Sequence, residues 1–166
     1  MEFRTVRTLC LALALGISLT PVAATALTSD ETAKVVTIIE KLQPSRGKVA
    51  YDEGEADQWF EDDSAENGLI GKAGFDQQGW KTSFDAVLKG FLASIPQAEI
   101  DGLLEQVRTH FRQARNMTPE QRTAALNLYD EQVAIIRALR EEGRAYADTV
   151  RPFQDRLRRV VSTNGD

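Results

Sequence analysis

The sequence predicts an all-α fold: a small antiparallel helical bundle, or an open helical cradle, of four main helices plus one or two short ones. Three observations carry this expectation. Apolar residues recur at intervals of three and four through most of the chain. Cap-forming residues stand where those stripes begin. No stretch of useful length alternates apolar and polar side chains, as a half-buried strand would require.

The elements follow in order. Thr28 and Glu31 have the spacing of a capping box, and Val35, Ile38, Ile39 and Leu42 then mark one helix face that Pro44 is expected to end. Residues 44–63 lack this period and are rich in Asp and Glu, so they read as an acidic loop with at most one helical turn around Trp59. A short helix from Ser64 to Lys72 should stop at Gly74 in the left-handed conformation. Asp76 can cap a helix whose stripe is Trp80, Phe84, Val87, Leu88, Phe91, Leu92 and Ile95. Pro96 opens the next helix, with Ile100, Leu103, Leu104, Val107 and Phe111 on its apolar face.

Thr118-Pro119-Glu120-Gln121 is a helix start three times over. Thr118 suits the cap, Pro119 the first helical position, and Gln121 can close the capping box. Ala125, Leu126, Tyr129, Val133, Ile136 and Leu139 form the buried stripe, and Gly143 should end or bend the helix. In the last segment Tyr146, Val150, Phe153, Leu157 and Val160 keep the period, while Pro152 should kink or restart it.

The amino terminus predicts export. Arg4 and Arg7 precede an apolar run over 9–19, Pro21 follows, and Ala24-Thr25-Ala26 places small residues before a cleavage point after Ala26. The run is about half the length of a membrane span, so a removable signal peptide is expected and no stable membrane anchor. Residues 27–166 are then one helical domain in the periplasm. The only cysteine, Cys10, lies inside the leader, so disulfides and thiolate metal sites are not expected beyond it.

Charge is uneven. Residues 27–101 carry 15 acidic and 7 basic groups, whereas residues 102–166 carry 9 acidic and 11 basic ones, all of the latter Arg. The two parts should attract each other. Net charge and compartment argue against nucleic acid as a partner.

No residue set specifies a reaction, so no catalytic, cofactor or metal site is expected. His110 is the sole histidine and no nucleophile or carboxylate motif accompanies it. Asp63, Asn67, Gly68 and Ile70 match positions of a calcium loop, yet Gly74 stands where the closing bidentate Glu belongs. A divalent-cation or small-ligand binder using residues 52–66 is therefore the alternative reading. Arg108, Arg112 and Arg115, with Arg137, Arg140, Arg144 and Arg151, recur at helical spacings and form a candidate basic face for an anionic partner.

Met117-Thr118-Pro119-Glu120-Gln121 resembles the L-T-x-x-Q element of the Spy and CpxP group of periplasmic helical proteins, with Met in place of Leu and one copy rather than two. Gly74-Phe75, Trp80, this element and a closing helix with an internal Pro together resemble small exported helical proteins of Gram-negative bacteria to which no activity attaches. The first resemblance implies a cradle that holds unfolded clients, and it carries over only to Thr118 and Gln121, both expected to cap a helix. The resulting expectation is a soluble, non-enzymatic periplasmic protein-binding factor, chaperone-like or related to envelope stress, with a protein client and a homodimer as candidate partners.

Overall fold

The computed structural model describes residues 27–46, 49 and 54–162. The expected leader and its cleavage point after Ala26 lie outside the described residues. The fold is all-α: α1 (Ser29–Arg46), α2 (Glu55–Glu66), α3 (Leu69–Lys72), α4 (Gln77–Ser94), α5 (Gln97–Gln113), α6 (Pro119–Gly143), α7 (Ala147–Val150) and α8 (Gln154–Ser162). Two 3-10 turns, Arg144–Tyr146 and Arg151–Phe153, flank α7. None of the described helices is long and apolar enough to cross a membrane.

Helix α4 is the centre. Asp76 caps it, with Oδ1 accepting from Gly79 N–H at 2.7 Å. Its faces bury Trp80, Phe84, Val87, Leu88 and Phe91 against Val35, Val36, Ile39 and Leu42 of α1, Trp59 of α2, Val150, and Leu157 of α8. The aromatic rings meet at tilted and edge-on angles, with centroids 5.5 Å apart for Trp59–Phe84 and 5.2 Å for Trp80–Phe84. Trp80 Nε1–H donates to the Ala56 carbonyl at 3.0 Å, so the largest core side chain also ties α2 to α4.

Within the expected acidic loop over 44–63, residues 47, 48 and 50–53 lie outside the described residues, and the described stretches 44–46 and 55–63 are helical instead. Helix α1 runs through Pro44 to Arg46, because a proline in the last turn forfeits one hydrogen bond without breaking the turns before it. Glu55–Glu66 is helical, burying Ala56, Trp59 and Asp63. That stripe has helical spacing, but it consists of a small residue, one aromatic and a carboxylate. Asp63 is fully buried: Ile70 N–H donates to its Oδ2 at 2.7 Å, and its carbonyl accepts from Asn67 and Gly68 N–H. The carboxylate thus turns inward onto the start of α3. The expected single helix over Ser64–Lys72 is split there by Gly68, which has φ 59°. Gly74, φ 97°, ends α3 with Phe75 N–H reaching back to the Ile70 carbonyl, as the glycine stop predicted.

At the other end of the chain, Thr118 and Gln121 complete their capping box, Thr118 N–H donating to Gln121 Oε1 at 2.9 Å and Gln121 N–H to Thr118 Oγ1 at 3.3 Å. The Thr28 box forms only half. Glu31 N–H donates to Thr28 Oγ1, but the Glu31 carboxylate accepts from the Ser83 hydroxyl and so links α1 to α4. After Pro152 the α-helix restarts at Gln154.

The charge asymmetry is used internally. Arg156 forks onto Glu40 at 2.9 and 2.6 Å, and Arg158 onto Glu99 at 2.6 and 3.0 Å, each joining the acidic part of the chain to the basic part. These hydrogen bonds hold both carboxyls below the ordinary value of 4.5. Because the folded values lie below the unfolded ones, their stabilisation is complete above about pH 4.5 and fades as pH falls through the folded values. Thermal melts should therefore be level from pH 7 to about pH 5.5 and drop below about pH 4.5. Glu40→Gln should shrink that drop, its melting point approaching that of wild type as the pH falls through the folded value of Glu40; parallel curves would refute the assignment.

Candidate functional site: an uncharged face on a projecting hairpin

Helix α6 has 25 residues, about 37 Å of rod, and only its second half belongs to the core. Gly143 and Leu139 pack on α4, and the Arg140 guanidinium donates to the Leu92 and Ile95 carbonyls at the end of α4. Where α4 stops, α5 takes its place beside α6. The two run antiparallel: Arg140 reaches Gln97 near the base, and Arg122 reaches the Ala114 carbonyl near the tip. Ile100 and Val133 are buried at the base; from Asp101 through Gln132 no side chain is. The outer part is thus a two-helix projection.

Its inner seam is short of apolar contacts and is supplemented by polar ones. The Tyr129 hydroxyl donates to the Leu104 carbonyl, the Phe111 and Tyr129 rings lie 5.9 Å apart, and Arg108 pairs with Asp130 while its guanidinium sits 5.7 Å over the Tyr129 ring. Leu104, Arg108 and Phe111 therefore mark the line of α5 that faces α6, and Tyr129 marks the reciprocal line.

A second stripe lies about a quarter-turn or slightly more from these lines, at 100° per residue, and the antiparallel sense puts it on the same side of both helices. On α5 it is Ile100, Leu103, Val107, His110 and Ala114; on α6 it is Gln121, Ala125, Leu128, Gln132, Ile135 and Leu139. Both rows step by three and four, the period of a helix-packing seam. Neither contains Asp, Glu, Lys or Arg. At its centre Leu103, Val107, Leu128 and Ile135 are 51%, 44%, 59% and 50% exposed. Large apolar side chains gathered on one exposed face are the mark of a binding surface.

The arginines expected to form a basic face are distributed along the molecule. Arg112 pairs with Glu105 at 3.1 Å beside the Arg108–Asp130 pair, and Arg115 is exposed near the tip. Arg137, Arg140 and Arg144 lie at the base, around a cavity of 240 Å³ that Glu141 and Gln97 also line. Arg144 pairs with Glu141 at 2.7 Å, and Arg151 with Asp148 at 2.9 Å on a separate turn. Arg140 is committed to capping α4. Arg115 and Arg137 alone among the seven have no ion pair or hydrogen bond among the described residues. His110 is exposed, its ring 6.3 Å from that of Phe111.

No protein family, curated protein or solved structure matches the chain. The functional reading rests on the geometry.

The apolar face was half legible. Leu103 and Val107 carry the helical period, which predicted burial; they are exposed because α5 starts where α4 ends and only α6 remains to cover it. Leu128 and Ile135 fall on a second row of α6 behind the buried one. Two apolar rows on one helix, separated by about a quarter-turn, are the sequence signal for it.

Proposed function

We propose that the chain is a non-enzymatic protein-binding factor of the periplasm, chaperone-like or tied to envelope stress, and that it engages its partner through the outer face of the α5–α6 hairpin. One observation carries this reading: the uncharged double row centred on Leu103, Val107, Leu128 and Ile135 projects clear of the core. A face without fixed charges accepts apolar segments of many sequences, since it imposes no charge pattern on them. The ion pairs Arg108–Asp130 and Arg112–Glu105 lie on the opposite side of the hairpin, about half a turn from this face, and so leave it uncharged.

The test is suppression of aggregation of several denatured model proteins at stoichiometric amounts, by wild type and by the double variant Leu103→Glu/Leu128→Glu. Wild type should protect. The variant should lose most of that protection with its stability changed by no more than about 1 kcal/mol, about 0.5 kcal/mol for each exposed position. Protection equal in both proteins, or absent from wild type, would refute the reading. A second copy is the competing occupant of the face. Light scattering then gives a dimer that Leu128→Glu dissociates, without client protection.

A further inference from the structure

The first part of the chain is acidic, yet three of its seven basic residues converge on one slot. A cavity of 430 Å³ opens between α1 and α3, floored by Ile38, Leu69 and Ala73 and bordered by Lys34, Lys41 and Lys72. No carboxylate among the described residues lines it. The nearby acids of α1 are turned elsewhere, Glu40 to Arg156 and Glu31 to Ser83, and Asp30, one turn before Lys34, is outside the lining. Lysines elsewhere behave differently: Lys81 pairs with Asp57, and Lys89 with Asp85 and Glu142. Lys34 and Lys41 have no ion pair among the described residues, and Lys72 Nζ donates to the Asn67 carbonyl at 2.7 Å.

This arrangement suits an anionic, amphipathic ligand. Lys34 and Lys41 stand two turns apart on one helix face, about 10 Å along the axis, beyond the screening length of about 8 Å at physiological salt, so each exposed ammonium is separately solvated and available. Beside them Leu69 and Ala73 are part-exposed over the buried Ile38. A ligand with an anionic head and an apolar tail can use both features at once. The head neutralises the lysines, whose flexible stems can converge on a compact charge, and the tail covers the floor. A neutral apolar ligand would not engage the ammonium groups, and a small hydrophilic anion would leave the floor.

We infer that the slot between α1 and α3 binds a free fatty acid, with the carboxylate held by Lys34, Lys41 and Lys72 and the alkyl chain along Ile38, Leu69 and Ala73. The volume falls in the range of about 300–1,000 Å³ of small-molecule sites. The site is separate from the hairpin face and independent of the function proposed for it.

The probe is dodecanoate, titrated calorimetrically into the full chain below the concentration at which it aggregates. Saturable one-to-one binding is expected, with acetate and the neutral-headed dodecyl maltoside each at least about tenfold weaker. Lys34→Glu/Lys41→Glu should weaken dodecanoate by at least about tenfold with an unchanged melting point, since both side chains are exposed. Methyl resonances of Ile38 and Leu69 should shift on binding. No saturable binding, equal affinity for the neutral head, or an unaffected double variant would overturn the inference. So would shifts confined to Leu103 and Leu128, which would place the acid on the hairpin. Flotation with phosphatidylglycerol vesicles in the absence of dodecanoate binding would overturn it too, by assigning the lysines to a membrane surface.

Discussion

Gly143→Ala should lower the stability of the protein by about 3 kcal/mol, or roughly 6–12 °C in melting temperature for a domain of this size. Helix α6 ends where it crosses α4 most closely. A β-carbon on Gly143 would overlap the Lys89 carbonyl group, both atoms of it backbone, and would approach Gly90 N to 3.1 Å. Backbone cannot swing aside as a side chain does, so the helices must separate and the packing of α4 must loosen. Gly90 is tight for the same reason, its imagined β-carbon 2.8 Å from Val150 Cγ2 and 2.9 Å from Tyr146 Cβ. Gly102 is the control. It lies on exposed α5 with nothing within 4 Å, and Gly102→Ala should be neutral or stabilising by up to about 1 kcal/mol. Chemical denaturation of the two variants decides the matter; similar midpoints would refute the close crossing.

Trp80→Ala should cost more still, about 3–5 kcal/mol. The indole is fully buried, touches the rings of Phe75 and Phe84, and donates its N–H to the Ala56 carbonyl. Truncation opens a cavity at the centre of α4 and releases the α2 anchor together. Trp80→Phe separates the two effects. It keeps an aromatic ring but leaves the Ala56 carbonyl without that donor, and should fall between wild type and Trp80→Ala. Hydrogen exchange should then accelerate first over Glu55–Glu66, the helix that the indole N–H fastens. Uniform acceleration across all helices would show that the hydrogen bond has no local role.

What could be read in advance follows a physical division. Elements stabilised by local rules were legible: the caps at Asp76 and Thr118 and the glycine stop at Gly74 depend on residues within a turn of one another. Helix α2 was not, because its buried stripe of Ala56, Trp59 and Asp63 includes a carboxylate where an amphipathic helix ordinarily has an apolar side chain. Burial of that carboxylate depends on a backbone N–H seven residues away. The candidate face was legible as periodicity but not as exposure, since exposure is decided by where α4 ends relative to α5. The lysine slot was hidden altogether: Lys34 and Lys41 share a helix face, but Lys72 joins them only because the fold sets α3, which packs on α2, across a cavity from α1. The arginine spacings were real, yet five of the seven side chains have carboxylate or carbonyl partners, three of them within their own helix or turn, that spacing does not reveal.

Helix α6 serves two masters, half of it built into the core and half carrying a surface that contributes almost nothing to the interior. Such division uncouples innovation from foldability. No side chain along residues 101–132 is buried, so changes there leave the packed centre around Trp80 to specify the molecule. If the hairpin is the binding element proposed for it, what it engages can alter without the interior being redesigned.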